Sequence, residues 1–300
     1  MQIAEENFKV PLGKKTSLKD FDSSWVPKWA KKQEASGSKK TVKEIALATL
    51  EDSRQKLVEM QELFWANGTH AMLIILQGMD AAGKDSTIAH VMSGVNPQGC
   101  QVTSFKTPSE EELNHDFLWR HNKALPERGR IGIFNRSYYE DVLIVKVRPE
   151  ILENQKLPED VKGKNFWSER YDDINMFECH LVRNGTVVLK FFLNVSKKQQ
   201  KRRLLNRLEE SDKNWKFFLT DLSERARWND YMDAYEDVLN NTSTEWAPWH
   251  VIPADKKWVT HSAVSEIIVT QIKQLNLKYP VLSKEQLDAL EKAKVELQKE

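Results

Sequence analysis

The sequence has few cysteines and none in a metal-binding arrangement. Its two cysteines, Cys100 and Cys179, lie far apart in the chain, and its seven histidines form no H-E-x-x-H pair. The spacing therefore gives no support to a zinc site. We expect both cysteines to be buried free thiols of a protein in a reducing compartment.

The sequence also lacks a long apolar run and an excess of charge of one sign. Its longest strongly apolar run, residues 71–76, is too short to span a bilayer, and the N-terminal stretch has no apolar segment of the secretory type. The chain has 45 Lys and Arg against 44 Asp and Glu. Balanced charge disfavours a general nucleic-acid coat or membrane-surface binder, although a local basic cleft stays compatible with it. We expect a cytoplasmic protein that binds neither nucleic acid nor membrane.

Short apolar runs alternate with stretches of helical periodicity along most of the chain. The predicted strands are HAMLIILQ (70–77), QVTSFK (101–106), RIGIFN (130–135), TVVLKFFLNV (186–195) and PWHVIPA (248–254). Helices are predicted over 41–65, 86–95, 109–125, 138–147, 166–185, 196–211, 222–241 and 260–277. Strands that alternate with helices indicate right-handed crossovers. The fold class is therefore α/β, with one parallel β-sheet flanked by helices on both faces.

The pattern also divides the chain into segments. Residues 1–40 contain prolines, glycines and a charged polar run, and they are predicted to form an irregular N-terminal arm anchored by Phe21, Trp25 and Trp29. Residues 41–280 form the main domain, with a lid at about 197–220. Residues 281–300 are expected to form a peripheral polar helix.

A phosphate-binding loop is the strongest motif. Residues 78–84 match G-x-x-x-x-G-K between a predicted strand and a predicted helix, the context that directs backbone N–H groups at phosphate. Lys84 is placed to neutralise charge on a transferred phosphoryl group. The loop residues assigned to phosphate or nucleotide are Gly78, Met79, Ala81, Ala82, Gly83, Lys84, Asp85 and Ser86. The plain alternative is a glycine turn that binds nothing.

The acids around this loop depart from the usual pattern. Asp85 stands where Ser or Thr normally follows the lysine, and Asp80 lies inside the loop. The third strand ends in Asn135 and Arg136, where P-loop enzymes usually place a metal-holding carboxylate. Because Mg²⁺ binds carboxylates together with phosphate oxygens, we predict that Asp80 and Asp85 hold Mg²⁺, with Mn²⁺ as a substitute. The alternatives are a turn-forming Asp80 and an Asp85 that favours the helix start.

A strongly basic helix follows the fourth strand. The segment KKQQKRRLLNR carries six cations, and its leucines mark the buried side, which leaves Arg203 and Arg207 one helical turn apart on another face. Its position after a strand of the sheet suits a lid that closes over phosphates. A merely solvated helix face is the alternative.

With these residues assembled, the chain resembles the second family of polyphosphate kinases. The matching stretches are GMDAAGKDST, FNRSYYEDVLIVKV, VLKFFLNVSKKQQKRRLLNRLEESDKNWKF and YEDVLNNTSTEWAPWHVIPADKKW. They occur in order, and the resemblance extends over roughly residues 40–275. The resemblance implies a P-loop kinase fold similar to thymidylate kinase. It also implies Mg²⁺-dependent phosphoryl transfer between inorganic polyphosphate and a nucleotide.

The resemblance also implies roles for single residues. Asp80, Lys84, Arg136 and Arg203 would be catalytic, and Lys106 is a less complete match to a basic residue on the donor path. Asn135, Glu140 and Arg207 would join the phosphate and nucleotide site, and Asp141 is a further candidate acid. The segment NRSYYEDV is similar to the third class of the family, which uses both nucleoside mono- and diphosphates. Adenine nucleotides, with guanine nucleotides as further candidates, and assembly into homo-oligomers are implied in the same way.

We therefore expect a kinase that converts AMP to ADP and ADP to ATP with polyphosphate as donor, reversibly and by in-line transfer. One alternative is an ATP-dependent nucleoside or nucleotide kinase of the same fold. The other is a non-catalytic module that binds nucleotides or polyanions.

Overall fold

A computed structural model describes residues 5–35 and 39–299 and contains one five-stranded sheet. The strands are β1 (Ala71–Gln77), β2 (Cys100–Ser104), β3 (Ile131–Asn135), β4 (Thr186–Asn194) and β5 (Trp249–Pro253). Their order across the sheet is β2-β3-β1-β4-β5, and every neighbouring pair is parallel. The predicted α/β class is confirmed.

Strand β1 occupies the centre of the sheet because it can be buried on both faces. All seven of its residues are buried, as the unbroken apolar run predicts. It pairs with β3 on one side and β4 on the other, so that Leu76 lies opposite both Asn135 and Phe191. The chain leaves β1 where strand order reverses, which is the edge at which open α/β sheets bind ligands.

Helices cover both faces of the sheet. They are α1 (Lys28–Ala35), α2 (Lys39–Asn67), α3 (Lys84–Val91), α4 (Glu110–Leu113), α5 (Trp119–Asn122), α6 (Ile144–Val147), α7 (Phe166–Arg183), α8 (Lys197–Glu209), α9 (Thr220–Ala226), α10 (Trp228–Thr242), α11 (Lys257–Gln274) and α12 (Lys284–Leu297). Short 3₁₀ helices span Glu5–Asn7, Leu18–Asp20, Pro97–Gly99, Tyr138–Val142, Pro149–Gln155, Glu159–Val161 and Ser211–Lys216. Helices α2, α3 and α11 pack together on one face, and α6, α7 and α10 pack together on the other.

Three of the predicted helices are interrupted. The stretch 109–125 begins with the expected capping box at Ser109, but it forms only α4 and α5 with a turn between them. The stretch 138–147 is a 3₁₀ helix followed by α6. The stretch 222–241 breaks at Arg227. Apolar spacing on the two sides of such a break fits one continuous helix, so periodicity alone misses the break.

The described part of the N-terminal arm packs on β5. Lys9 forms an antiparallel bridge with His250, and the ring of Trp25 packs edge-on against Phe8 at 5.1 Å between centroids. The ring centroids of Trp29 and of Trp258 on α11 are 5.7 Å apart. The expectation of an irregular arm is wrong for residues 28–35, which form α1.

Three further expectations concern the cysteines and the two ends of the chain. Cys100 and Cys179 are free thiols, but both are half-buried rather than buried. Every residue of α12 is exposed. Part of the arm, residues 1–4 and 36–38, lies outside the described residues. The boundaries at 40 and 280 and the extent of the lid stay predictions.

A buried ion pair lies between the sheet and α7. The ammonium of Lys190 on β4 donates to Glu178 Oε2 at 2.6 Å and to the carbonyl of Thr242 at 2.6 Å, and both charged side chains are fully buried. The hydroxyls of Tyr138 and Tyr139 donate to Glu178 Oε1 at 2.9 and 2.8 Å. These bonds satisfy groups that would otherwise be costly to bury. They also fix the segment that follows Arg136 against the sheet.

Candidate active site

The loop between β1 and α3 wraps the start of α3, as the motif predicts. Gly83 is the N-cap of α3 with φ +109°, and Ala81 has φ +59°. Gly78 has φ +155°, and a Cβ there would lie 3.0 Å from the carbonyl oxygen of Leu193. Only glycine meets both the backbone angle and the close approach at position 78. The loop therefore has the tight geometry that a phosphate-binding turn requires.

Lys84 is folded back onto this loop. Its Nζ donates to the carbonyl of Gly78 at 2.6 Å and lies 3.4 Å from that of Met79. Burial, followed by repulsion from Arg136, lowers the pKa of Lys84 to about 8, although Asp80 and other acids oppose the shift. The ammonium lies at the carboxyl edge of β1, as a phosphate-neutralising lysine should.

Arg136 joins the end of β3 to the phosphate loop. Its Nη2 donates to Asp80 Oδ1 at 2.7 Å, and its Nη1 donates to Glu140 Oε2 at 3.1 Å. Glu140 and then Asp80 raise the pKa of Arg136 above its ordinary value. Arg136 has φ +64°, a left-handed conformation that is strained for a non-glycine residue. Two carboxylates hold this strained residue in place, so the guanidinium has a fixed position at the sheet edge.

Asn135 connects the same strand end to the second loop acid. Its Nδ2 donates to Asp85 Oδ1 at 2.7 Å and lies 3.3 Å from Ser104 Oγ at the end of β2. Its Oδ1 is buried without a hydrogen-bond partner. Side chains from three strand ends or their loops thus meet around Asp85.

The oxygens at this edge suit a small divalent cation. Within residues 5–35 and 39–299, no group of three or more His, Cys, Asp and Glu is arranged to hold a metal by itself. Mg²⁺ usually takes one or two carboxylates and completes its shell with water and substrate phosphates. Asp80, Asp85 and the unpartnered Oδ1 of Asn135 are the oxygen donors that such a site needs, so the donor set fits.

The predicted lid helix α8 holds the phosphate loop from the other side. Arg203 Nη1 donates to the carbonyls of Ala81 and Ala82 at 2.9 and 2.7 Å, and its Nη2 donates to that of Ala254 at 2.5 Å. Gln200 Nε2 donates to the carbonyl of Asp80 at 3.0 Å. In this geometry Arg203 positions the loop, a role that the motif alone does not reveal.

The remaining predicted residues are distributed unevenly. Arg207 lies one turn beyond Arg203 and pairs with Asp221 at 3.3 Å. Ser86 Oγ donates to the carbonyl of Gly83 at 3.0 Å in the first turn of α3. Lys106 is exposed just beyond the end of β2, and its side chain is not among the contacts that join the other site residues.

Glu140 and Asp141 have separate environments. Glu140 binds Arg136, whereas Asp141 accepts from Gln155 at 2.6 Å and lies 3.5 Å from Arg170. Burial raises the pKa of Asp141 to about 6, while Arg170 opposes the shift. Asp141 thus lies outside the group of side chains that surrounds the loop.

Sequence reasoning missed three residues near the loop. Gln200 links Asp80 to Arg225, whose Nη1 donates to Gln200 Oε1 at 2.7 Å. Asp221 is buried, and the charge of Asp80 contributes to its raised pKa after burial. The ring of Tyr235 packs against that of Phe192 at a tilt, with 4.2 Å between the ring centroids. Gln200 alone had a signal, because it begins the Q-x-x-R pattern from which Arg203 was assigned.

Among the described residues, no helix is both long and apolar enough to cross a bilayer. The profile described as Polyphosphate kinase 2 matches residues 40–280.

Two curated relatives and one solved structure give a consistent comparison. The ADP-polyphosphate phosphotransferase of Rhodopseudomonas palustris is 48% identical over 281 residues, which cover 93% of this chain and 93% of the relative. The AMP/ADP-polyphosphate phosphotransferase of Meiothermus ruber is 45% identical over 238 residues, covering 79% and 85%. The crystal structure of Polyphosphate Kinase 2 from Arthrobacter aurescens TC1 is 38% identical, has a TM-score of 0.79 and covers 95% of both chains.

Proposed function

The chain belongs to the polyphosphate kinase 2 family and is a polyphosphate–nucleotide phosphotransferase, and we propose that it phosphorylates both AMP and ADP reversibly. One observation carries the assignment of the site. The cations Lys84 and Arg136 and the acids Asp80 and Asp85 converge on a glycine loop at the carboxyl edge of a parallel sheet. This arrangement places charges of both signs around a transferred phosphoryl group.

In-line transfer needs positioning and charge stabilisation more than covalent chemistry. Lys84 and Arg136 stabilise the negative charge that spreads over the equatorial oxygens. Arg203 and Gln200 hold the loop carbonyls so that the loop N–H groups keep their direction. Asp80 holds the guanidinium of Arg136 by its ion pair.

A divalent cation, Mg²⁺ or Mn²⁺ in its place, would be held by Asp80, Asp85 and the Oδ1 of Asn135. When bound it would supply charge neutralisation to the phosphate oxygens. Asp80 and Asp85, which are unexpected acids for a phosphate loop, would then supply the carboxylate ligands that are missing from the end of β3.

The two relatives are named for different acceptors, one for ADP and the other for AMP and ADP. Our proposal of both acceptors rests on the segment NRSYYEDV. We extend it to guanine nucleotides, to a homo-oligomeric assembly and to a cytoplasmic location. Light scattering during size-exclusion chromatography measures the assembly.

A donor–acceptor matrix tests the proposal. AMP, ADP, GMP and GDP are each incubated with polyphosphate and Mg²⁺ in the absence of ATP, and the nucleotides are separated by chromatography. We expect ADP and ATP from AMP, and ATP from ADP. Product from ADP alone would restrict the acceptor to diphosphates. If no acceptor is phosphorylated by polyphosphate but AMP is phosphorylated by ATP, the chain is an ATP-dependent kinase, an alternative that the relatives' names do not favour.

A further inference from the structure

The last residue of β1, Gln77, has a fully buried amide that takes no part in the roles above. It directly precedes Gly78 of the phosphate loop. On the neighbouring strand, the backbone N–H of Arg136 donates to the carbonyl of Leu76 at 3.1 Å. The ladder between β1 and β3 ends there, where Arg136 has a left-handed backbone. The side chain of Gln77 is therefore the next group of β1 that can hold the chain after Arg136.

The partners of the Gln77 amide determine its orientation. Its oxygen accepts from the backbone N–H of Ser137 at 3.0 Å and from Ser137 Oγ at 3.1 Å, and its nitrogen donates to Glu140 Oε1 at 2.9 Å. The opposite orientation would turn the amide oxygen towards a carboxylate and the amide nitrogen towards an N–H group. Both ends of the buried amide are thus bound to the segment that follows Arg136.

Glu140 lies between Gln77 and Arg136 and binds both. Its Oε1 accepts from Gln77, and its Oε2 accepts from Arg136 Nη1 at 3.1 Å. The other terminal nitrogen of Arg136 donates to Asp80 Oδ1 at 2.7 Å. Because each oxygen of Glu140 has its own partner, the plane of this carboxylate is fixed, and a carboxylate of fixed plane orients the guanidinium that it binds.

The amide acts on the backbone of Arg136 as well as on its side chain. A left-handed backbone at a non-glycine residue persists only where the surrounding contacts hold it. The bond from the N–H of Ser137 to Gln77 restrains the peptide group that follows Arg136. The other six residues of β1 are apolar, so burial in this strand does not itself require an amide, which is costly to bury.

We propose that Gln77 is a positioning residue for phosphoryl transfer. Its amide orients Glu140 and the peptide group after Arg136, and so directs the guanidinium of Arg136 at the transferred phosphoryl group. Because Gln77 is fully buried, it acts through Arg136 and does not touch the substrate. The inference rests on the proposed function for the role of Arg136.

A double-mutant cycle on kcat tests whether Gln77 acts through Arg136. Gln77→Leu removes the three hydrogen bonds of the amide, and Arg136→Lys keeps the charge but loses the two-sided grip of the guanidinium. With AMP and polyphosphate, we expect Gln77→Leu to lower kcat by about tenfold or more and to leave both KM values within about twofold, since the lost interaction belongs to the transition state. In the Arg136→Lys background, the same substitution should lower kcat by less than about twofold, because the effects of coupled residues are not additive.

Gln61→Leu on α2 is the matched control, because the buried amide of Gln61 has no hydrogen-bond partner among the described residues. We expect it to keep the kcat of the wild type. Melting temperature and circular dichroism check the fold of each variant. Gln77→Asn, whose amide is one methylene too short to reach Glu140 and Ser137 together, replaces Gln77→Leu if leucine prevents folding.

An unchanged kcat in Gln77→Leu would overturn the inference, as would a rise in KM without a fall in kcat. An equal loss of kcat in the wild-type and Arg136→Lys backgrounds would overturn it as well, because Gln77 would then act independently of Arg136. A wild-type protein without polyphosphate-driven turnover would instead contradict the proposed function, so the two failures are distinguishable.

Discussion

Arg136 donates to Asp80 across 2.7 Å, and this ion pair joins the end of β3 to the phosphate loop. The two residues are 56 positions apart in sequence. Each residue is unusual for its position. Arg136 has a left-handed backbone, and Asp80 is an acid in a loop that is built to bind anions. The pair explains how a carboxylate can be tolerated there, since a neighbouring guanidinium compensates its charge.

Replacement of Asp80 should remove activity without removing the fold. Asp80→Asn keeps the size of the side chain but frees Arg136 to turn towards Glu140 and removes a proposed cation ligand. We expect kcat to fall by about 10²-fold or more. The measurement is polyphosphate-driven ADP and ATP formation, with circular dichroism to check the fold. Asp52→Asn, on the exposed face of α2, serves as control. If the wild-type protein shows no turnover and Asp80→Asn binds the substrates as well as wild type does, the result would support the non-catalytic alternative.

Replacement of Arg203 should loosen the phosphate loop. Arg203→Ala removes the hydrogen bonds to Ala81, Ala82 and Ala254, and we expect lower kcat together with a higher KM for polyphosphate. Arg203→Lys should recover only part of the loss, because an ammonium cannot span both loops as the guanidinium does. Steady-state kinetics measure both constants, and Arg183→Ala at the exposed end of α7 is the control. Unchanged turnover and KM in Arg203→Ala would refute the lid assignment.

The proposed cation site can be tested through stability alone. Asn135→Asp replaces the donor that lies 2.7 Å from Asp85 Oδ1 with a carboxylate oxygen, so two like charges face each other. We expect the variant to be less stable than wild type without divalent cation, and Mg²⁺ to raise its melting temperature by several degrees more than that of wild type. Calorimetry with and without Mg²⁺ gives both values. Asn184→Asp, exposed at the end of α7, is the control for a charge placed elsewhere. Equal Mg²⁺ effects in Asn135→Asp and wild type would argue against the site.

The buried pair of Lys190 and Glu178 should show strong coupling. Lys190→Met leaves the carboxylate of Glu178 buried and uncompensated, and we expect a loss of about 3–5 kcal/mol in the free energy of unfolding. The double variant Lys190→Met/Glu178→Gln should be more stable than the single variant, because the amide oxygen still accepts from Tyr138 and Tyr139. Urea denaturation of the wild type, the two single variants and the double variant gives the free energies of unfolding to be compared. Additive effects of the two substitutions would mean that the pair does not act as a unit.

We expect the buried side chain of His121 to lower the stability of the protein at acid pH. The ring is fully buried among Phe105, Phe134 and Tyr138, and burial, assisted by Arg120, lowers its pKa to about 3. Below the ordinary value of 6.5 the unfolded chain binds a proton that the folded chain does not, so stability is full above that pH and falls as the pH decreases.

His121→Phe should flatten this acid limb by about 1.4 kcal/mol per pH unit between pH 6 and 4. Chemical denaturation of both proteins at several pH values gives the difference, in which titrations common to both cancel. Parallel pH profiles would contradict the prediction, because they would mean that His121 has the same pKa in the folded and the unfolded chain.

Much of the fold could be predicted because its signals are local. Each of the five apolar runs forms a strand, and Ser109, the glycine loop and the spacing of α8 have the predicted structure. The errors fall where two helical periodicities run together without a glycine or proline between them. The breaks before Trp119 and at Arg227 depend on how the short helices pack, which spacing does not encode.

The site was predicted in its composition rather than in its contacts. Asp80, Lys84, Asp85, Asn135 and Arg136 lie together as strand order requires, because carboxyl ends of parallel strands meet at one edge.

Local patterns were enough to predict the order of strands and helices along the chain and the residue types around the loop, since periodicity and turn chemistry act over a few residues. That Arg203 binds carbonyls of two loops became apparent only from the packing of the folded chain. The same packing decided that Lys190 pairs with Glu178 inside the core. These partners are distant in the chain, and their contact depends on the packing of the sheet and its helices, which no local pattern specifies.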